Sequence, residues 1–280
     1  MRVKRGYTIL EVMMFIAISA AIFTGAVRAI GGRQAQVQFS QAVREFEAKI
    51  RDVANDVVTG YYPANETVTC ELSVGKSRIV KTNDASLGTN SGCIYIGKVL
   101  QFQPDGKKER MDIYTMAGLR YEDQIELTPS TSIAKSDPVP VSLVTADEGF
   151  HDPTSSYNLL YGLQVKKVIR PSASPVEYGA VAIMTNFGAS GVSDIQTAQI
   201  GGVVGSQLGQ TKASVLTLLD ELTDDPARIG DSGYLEKNTS EGIVICLEDV
   251  SGKLASVSFG VSGNISTRLD IDSYDRRCDS

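Results

Sequence analysis

The stretch Lys4-Arg5-Gly6-Tyr7-Thr8-Ile9-Leu10-Glu11 runs directly into the apolar segment VMMFIAISAAIFTGAV, residues 12–27. Arg2, Lys4 and Arg5 precede Gly6, and from Tyr7 to Val27 the only charged side chain is Glu11. A run this long and this apolar can cross the roughly 30 Å hydrocarbon core of a bilayer as a helix. The positive leader is expected to stay on the cytoplasmic side, which places the rest of the chain outside. An ionisable group inside such a helix costs about 2.5 kcal/mol or more and is normally paired. Cleavage after Gly6 would create a partner, the α-amine of Tyr7. That amine lies about one helical turn from Glu11 in the same chain, and a neighbour's amine could reach it in a packed bundle.

A second pattern follows. Phe39, Val43, Phe46, Ile50, Val53 and Val57 recur at alternating steps of four and three, one continuous apolar stripe on a helix. Glu45 with Lys49, and Glu47 with Arg51, stand four apart in the favourable orientation. Gly60 and Pro63 stop the pattern. The expectation is one helix from Tyr7 to about Thr59, with residues 7–30 facing lipid or other subunits and 31–60 packing on a head of residues 61–280.

The head reads as β-rich. VTCELSV (68–74), SRIVK (77–81), CIYIGKVLQF (93–102) and RMDIYTMA (110–117) carry strand composition, and Gln103-Pro104-Asp105-Gly106-Lys107 is a turn. Residues 118–156 read as an exposed loop, strands resume at 157–170 and 176–187, and 188–210 is glycine-rich. ASVLTLLDELTDD (213–225) predicts a short amphipathic helix with Leu216, Leu219 and Leu222 on one side. GIVICLEDV (242–250) and LASVSFGVS (254–262) predict a hairpin across Ser251-Gly252-Lys253, with RLDID (268–272) as an edge strand. The fold class is therefore α+β, a long helix against an antiparallel sheet, with insertions at about 118–156 and 188–240.

At 280 residues and 42% hydrophobic the chain can bury a real core. Its formal charge is −6, and without residues 1–6 the balance is 24 basic against 33 acidic residues, or −9. A domain this acidic is a poor general binder of nucleic acid; Arg268, Arg276 and Arg277 form the one late basic cluster. Cys70, Cys93, Cys246 and Cys278 lack metal-type spacing. Outside the cell they are expected to form disulfides. Of three connectivities the local pairs Cys70–Cys93 and Cys246–Cys278 are favoured, buried free thiols being the alternative.

Basic leader, Gly6, aromatic Tyr7, Glu11 as the fifth residue after the cut, and apolar stem together resemble the processing site of type IV prepilins and pseudopilins. Tyr7 stands where that family most often has Phe. The resemblance implies that prepilin peptidase cuts after Gly6 and N-methylates Tyr7, and that Glu11 pairs with the N-terminus of an adjacent subunit. It implies membrane lipid as the first environment, then other pilin subunits, with an inner-membrane assembly platform driven by a cytoplasmic ATPase. It places the protein in the cytoplasmic membrane and then in an extracellular filament or a pseudopilus serving adhesion, twitching, DNA uptake or secretion. Local unwinding of the stem in a filament would fall at Gly25, Gly31 and Gly32. GIVICLEDVSGKLASVSFG (242–260), with Asn264, Ser266, Arg268 and Asp270 after it, is similar to the end of the head in H-type pseudopilins and minor pilins.

Other chemistry finds little support. His151 beside Asp152, the sole histidine, has no G-x-S-x-G or equivalent nucleophile context. Ile200 to Gly209 lacks both phosphate-loop spacings and reads as a flexible loop. Asp270, Asp272 and Asp275 lack the glutamate that closes a calcium loop. No catalytic residue, cofactor or metal ligand is expected, and Asn65, Asn238 and Asn264 in Asn-x-Ser/Thr carry no meaning in such a protein. Two rivals remain: a signal peptide cut near Ala17 to Ala21, although the apolar run outlasts the usual core of about 7–15 residues, and a single-pass anchor displaying an adhesive domain that never polymerises.

Overall fold

The computed structural model describes residues 8–59, 68–73, 76–81, 93–119, 121–123, 128–129, 136, 138–141, 155–171, 175–185, 198–221, 235–237, 242–260, 267–271 and 278. One helix, α1 (Ile9–Thr59), runs unbroken through 51 residues, about 76 Å at 1.5 Å per residue. It passes through Gly25, Gly31 and Gly32 without interruption. Thr8 opens it: the Thr8 carbonyl accepts from the amides of Glu11 and Val12, and the Thr8 hydroxyl oxygen accepts from the Glu11 amide at 3.3 Å.

The strands, in chain order, are β1 (Val68–Ser73), β2 (Lys76–Lys81), β3 (Cys93–Phe102), β4 (Arg110–Leu119), β5 (Tyr121–Asp123), β6 (Thr128–Pro129), β7 (Val139–Pro140) and β8 (Ser155–Asn158). They continue with β9 (Gln164–Arg170), β10 (Val176–Glu177), β11 (Ala180–Thr185), β12 (Ala198–Val203), β13 (Leu235–Lys237), β14 (Ile243–Glu248), β15 (Leu254–Phe259) and β16 (Thr267–Asp270). A second helix, α2 (Lys212–Glu221), precedes β13. A seven-stranded sheet has the order β13-β12-β11-β3-β4-β7, with β8 also on β4, and a five-stranded sheet has the order β10-β9-β14-β15-β16. Among the described residues every strand pairing within these two sheets is antiparallel.

The packing follows from period-two alternation on strands and the apolar stripe on the helix. Phe39, Val43, Phe46, Ile50, Val53 and Val57 are all buried, in one cluster with Leu100, Phe102, Met111 and Ile113 of one sheet and Val168, Ile245, Val257 and Phe259 of the other. The opposite face of the seven-stranded sheet carries Val99, Tyr114, Met116, Ala182 and Met184, covered by Val215, Leu216 and Leu219 of α2. β3, β4 and β11 are buried on both faces, so their sequences read as largely apolar runs without clear alternation. The outer face of the five-stranded sheet is closed by Ile169, Val244 and the disulfide Cys246–Cys278, with Cα atoms 5.6 Å apart. Cys70 lies in β1 and Cys93 opens β3; the expected bond between them falls outside the described residues.

Several sequence expectations change. The strand read at 157–170 is two strands in different sheets, β8 and β9, because Tyr161 (φ 54°) and Gly162 (φ 71°) turn the chain between them. The strand at 176–187 likewise divides at Tyr178-Gly179, β10 pairing β9 and β11 pairing β3. The supposed flexible loop from Ile200 begins as β12, whose Ile200 to Val203 are buried between β11 and β13. Glycine hides this strand, since its β propensity is low. Gly202 is required by contact: a Cβ there would stand 2.3 Å from the Tyr178 ring. Within the segment read as an exposed loop, Val139 and Val141 are buried and β7 pairs with β4. Leu222 lies outside the described residues, and Val215 takes the third buried position on α2.

Replacing Gly202 by Val should destabilise the head by about 1–3 kcal/mol through overpacking against Tyr178, read from chemical denaturation. Replacing Cys278 by Ser should lower stability by about 3 kcal/mol. A reductant acting on the unchanged chain should cause a comparable loss through this bond.

Candidate membrane-insertion and assembly site

Ile9–Ala26 forms an 18-residue window of mean hydropathy 2.1, none of it buried. By length and composition this helix can cross a membrane. Ten large apolar side chains stand exposed on it: Ile9, Leu10, Val12, Met13, Met14, Phe15, Ile16, Ile18, Ile22 and Phe23. At about 1–2 kcal/mol each for partial exposure, leaving them in water costs on the order of 10–20 kcal/mol, as much as a whole domain's stability. That cost favours an apolar environment for this half of the helix. The polar groups inside the window are compatible with that. The Thr24 hydroxyl donates back to the carbonyls of Ala20 and Ala21, both at 3.0 Å, so it leaves no donor facing hydrocarbon.

Glu11 occupies the third helical position after the Thr8 cap. Thr8-Ile9-Leu10-Glu11 matches the S/T-x-x-E capping signature, which the sequence displays and which places a carboxylate at the positive end of the helix dipole. Glu11 thus has a favourable environment within its own chain, besides any partner outside it. Gly6 and Tyr7, the expected processing site, lie outside the described residues. Gly25 lies on the exposed part of the stem with nothing within 4 Å of a Cβ built there; Gly31 and Gly32 lie in the helix a turn and more beyond it.

The second half of α1 carries polar contacts along its own surface and one to the head. Arg51 pairs with Glu47 at 2.5 Å, as the sequence spacing predicts, while Glu45 accepts from Gln41 at 3.2 Å. Near the end of the helix, Asp56 pairs with the largely buried Lys98 at 2.5 Å. Burial, and then the charge of Asp56, raise the Tyr95 phenol well above its ordinary value. Burial and the nearby Glu45 raise Tyr157 in the same sense. Both phenols are held neutral at ordinary pH and serve packing.

Other polar clusters are structural in geometry. Asp112, fully buried, accepts from Arg110 Nε at 2.7 Å and faces Lys212 Nζ at 3.8 Å, which ties the start of α2 to β4. Tyr114 donates to Gln101 at 2.7 Å, and Gln101 donates to the Gln210 carbonyl at 2.9 Å. In the β14–β15 turn, burial pushes the Asp249 carboxyl up, but donors from Ser251 and Lys253 outweigh it and lower the pKa. Among the described residues no group of three or more His, Cys, Asp or Glu could hold a metal ion. His151, Asp272, Asp275, Arg276 and Arg277 lie outside the described residues.

Comparison with known protein families, with curated protein sequences and with solved structures yields no match. The class the geometry defines is accordingly broad: an α+β protein whose long N-terminal helix is half exposed stem and half core.

Placing a carboxylate at mid-window through Ile16→Asp should cost about 2.5–3.5 kcal/mol of insertion free energy. The variant is expected to shift from the carbonate-resistant membrane fraction to the soluble or aggregated one, while the unchanged chain stays membrane-bound.

Proposed function

We propose that this protein is a structural subunit of a type IV pilus or related filament, a minor pilin or pseudopilin. It is made as a single-pass membrane precursor and assembled through its stem. What carries this reading is the uncovered stem: an apolar, fully exposed helix half, continuous with a buried half, and bearing one carboxylate two residues from its start. Resting in lipid and then packing among sister stems are two ways to cover the same surface. In the packed state Glu11 would meet the amine of a neighbour's Tyr7 and so fix axial register. The pilin-like prepilin signal at Gly6 and Tyr7, and the C-terminal hairpin closed by its disulfide, agree with a head of that family.

A second reading is favoured by the Thr8–Glu11 cap. If Glu11 acts only to start its own helix, the chain needs no sister stems and serves as an anchored exterior domain. Glutamine separates the two, because it keeps the capping function and removes the charge. Glu11→Gln and Glu11→Leu are both expected to insert normally and to fall by tenfold or more in filament incorporation, roughly what a lost pair of about 1.4 kcal/mol or more gives. Normal incorporation of Glu11→Gln would leave only the anchor. Mass analysis of the mature N-terminus is expected to find N-methylated Tyr7; an intact Met1 would remove the pilin reading outright.

A further inference from the structure

Beyond Gly260 the chain is fastened to the head at β16, at Ile271 and at Cys278. Thr267–Asp270 pairs along β15 from Phe259 to Ser256 and forms an edge of the five-stranded sheet. Ile271 packs on the cluster around α1. Cys278 is fully buried with Ile169 and Val244 and bonded to Cys246. Among the described residues, every element that supplies these contacts precedes Gly260.

The strand registers align the fastenings. Cys246 stands opposite Ser256, and Ser256 opposite Asp270, so one row crosses β14, β15 and β16. Its members share a face of the sheet, with the disulfide at one end and the last residue of β16 at the other. Ser256 between them is buried. The receiving site, made of the β15 edge, Cys246, Val244 and Ile169, is thus complete without the segment that fills it. Four residues of pairing are a short hold, and an uncovered edge is a template for another chain of matching pattern. The segment that matches it in register, in apolar contact and in thiol position is the same segment of a second copy. Gly260, at φ 80°, opens the connection 260–266 between β15 and β16. Extended, those residues reach about 24 Å, several times the strand spacing of about 4.8 Å.

We propose that residues 267–278 are an exchangeable element. Bonded in cis they close the β15 edge of their own head. Before that bond forms they occupy the same edge in a second copy, which joins two heads through Cys278 of one chain and Cys246 of the other. The covalent step is the same in both cases. Two thiols give up two protons and two electrons to a disulfide such as oxidised glutathione, which leaves as two thiols, and the Cys246–Cys278 bond forms. Concentration decides between the outcomes. A tethered segment meets its own edge at an effective concentration on the order of 1 mM. Dilute copies fall far below that value, and crowded copies approach it. The inference stands on the sheet and its disulfide and needs neither the membrane nor the filament.

Unlabelled and heavy-isotope-labelled preparations of the full chain are mixed in detergent, reduced, and reoxidised with glutathione over a roughly hundredfold range of protein concentration. Folded material is collected by gel filtration, and mass spectrometry of the linked peptides counts Cys246–Cys278 bonds that join the two isotopes. Their share is expected to rise by roughly tenfold or more across the range. In a second mixture the labelled chain carries Leu269→Pro, which removes a ladder position from β16. Bonds from Cys278 of that variant to Cys246 of the unchanged chain should fall by roughly fivefold or more. The acceptor head there is unchanged, so the comparison does not depend on how well the variant folds. Same-isotope bonds alone at every concentration overturn the exchange. A mixed share that Leu269→Pro leaves unaltered, or that bonds from Cys246 to Cys70 or Cys93 equal, reports random collision of thiols and overturns docking at the β15 edge.

Discussion

Val43, Phe46, Ile50 and Val53 are each at most 1% exposed, and their burial fixes where both sheets can lie. A helix offers one apolar stripe, and here two sheets share it. Leu100, Phe102, Met111 and Ile113 reach it from the seven-stranded sheet, and Val168, Ile245, Val257 and Phe259 from the five-stranded one. At about 1.5–3 kcal/mol per buried large side chain, the six residues of the stripe contribute on the order of 10 kcal/mol or more. That is comparable to the net stability of a domain. Each sheet then needs its own outer cover, α2 for one and the tethered Cys278 for the other.

Elements whose pattern is local were legible in the sequence. The helix ends within two residues of expectation at its start and at Thr59 at its end, because its stripe, its polar faces and Gly60 all speak within a few residues. β3 and the β14–β15 hairpin were legible for the same reason: strand composition bounded by unambiguous turns. What composition concealed was sheet membership. β8 and β9 are joined through Leu159, Leu160, Tyr161, Gly162 and Leu163, which read as a continuing strand, and nothing in a tyrosine announces a positive φ. β12 was hidden by Gly201 and Gly202, and Gly202 answers to the Tyr178 ring about twenty residues earlier in the chain, a contact no short window of sequence contains.

The stem was equally legible as an apolar segment, and the carboxylate in it drew attention for its cost. The structure supplies a local term that the cost argument omitted: Glu11 stands at the amino end of a helix whose cap is the Thr8 hydroxyl. An acidic side chain there gains about 0.3–1 kcal/mol from the helix dipole. Set against about 2.5 kcal/mol or more for an ionised group within the hydrocarbon, this offsets part of the penalty and leaves a remainder. In the filament proposed above, a neighbour's amine would supply the remainder. The four-residue signature was visible in the sequence at Thr8 and Glu11.

Gly25 extends the same logic from charge to volume. At Gly97, Gly118, Gly179 and Gly202 a Cβ would stand within 2.4 Å of atoms of the head, so the fold itself forbids a side chain. At Gly25 a Cβ would meet nothing within 4 Å. Alanine there would gain about 1 kcal/mol of helix propensity. Nothing in the fold of the isolated chain uses the missing methyl. Two things outside it could: a second helix approaching so closely that only glycine fits, as small residues permit between membrane helices, or an opening of the helix that glycine makes cheap. The first needs a neighbouring helix; the second does not. The filament proposed above would use both Gly25 and the apolar surface around it, whereas the head makes no use of either among the described residues.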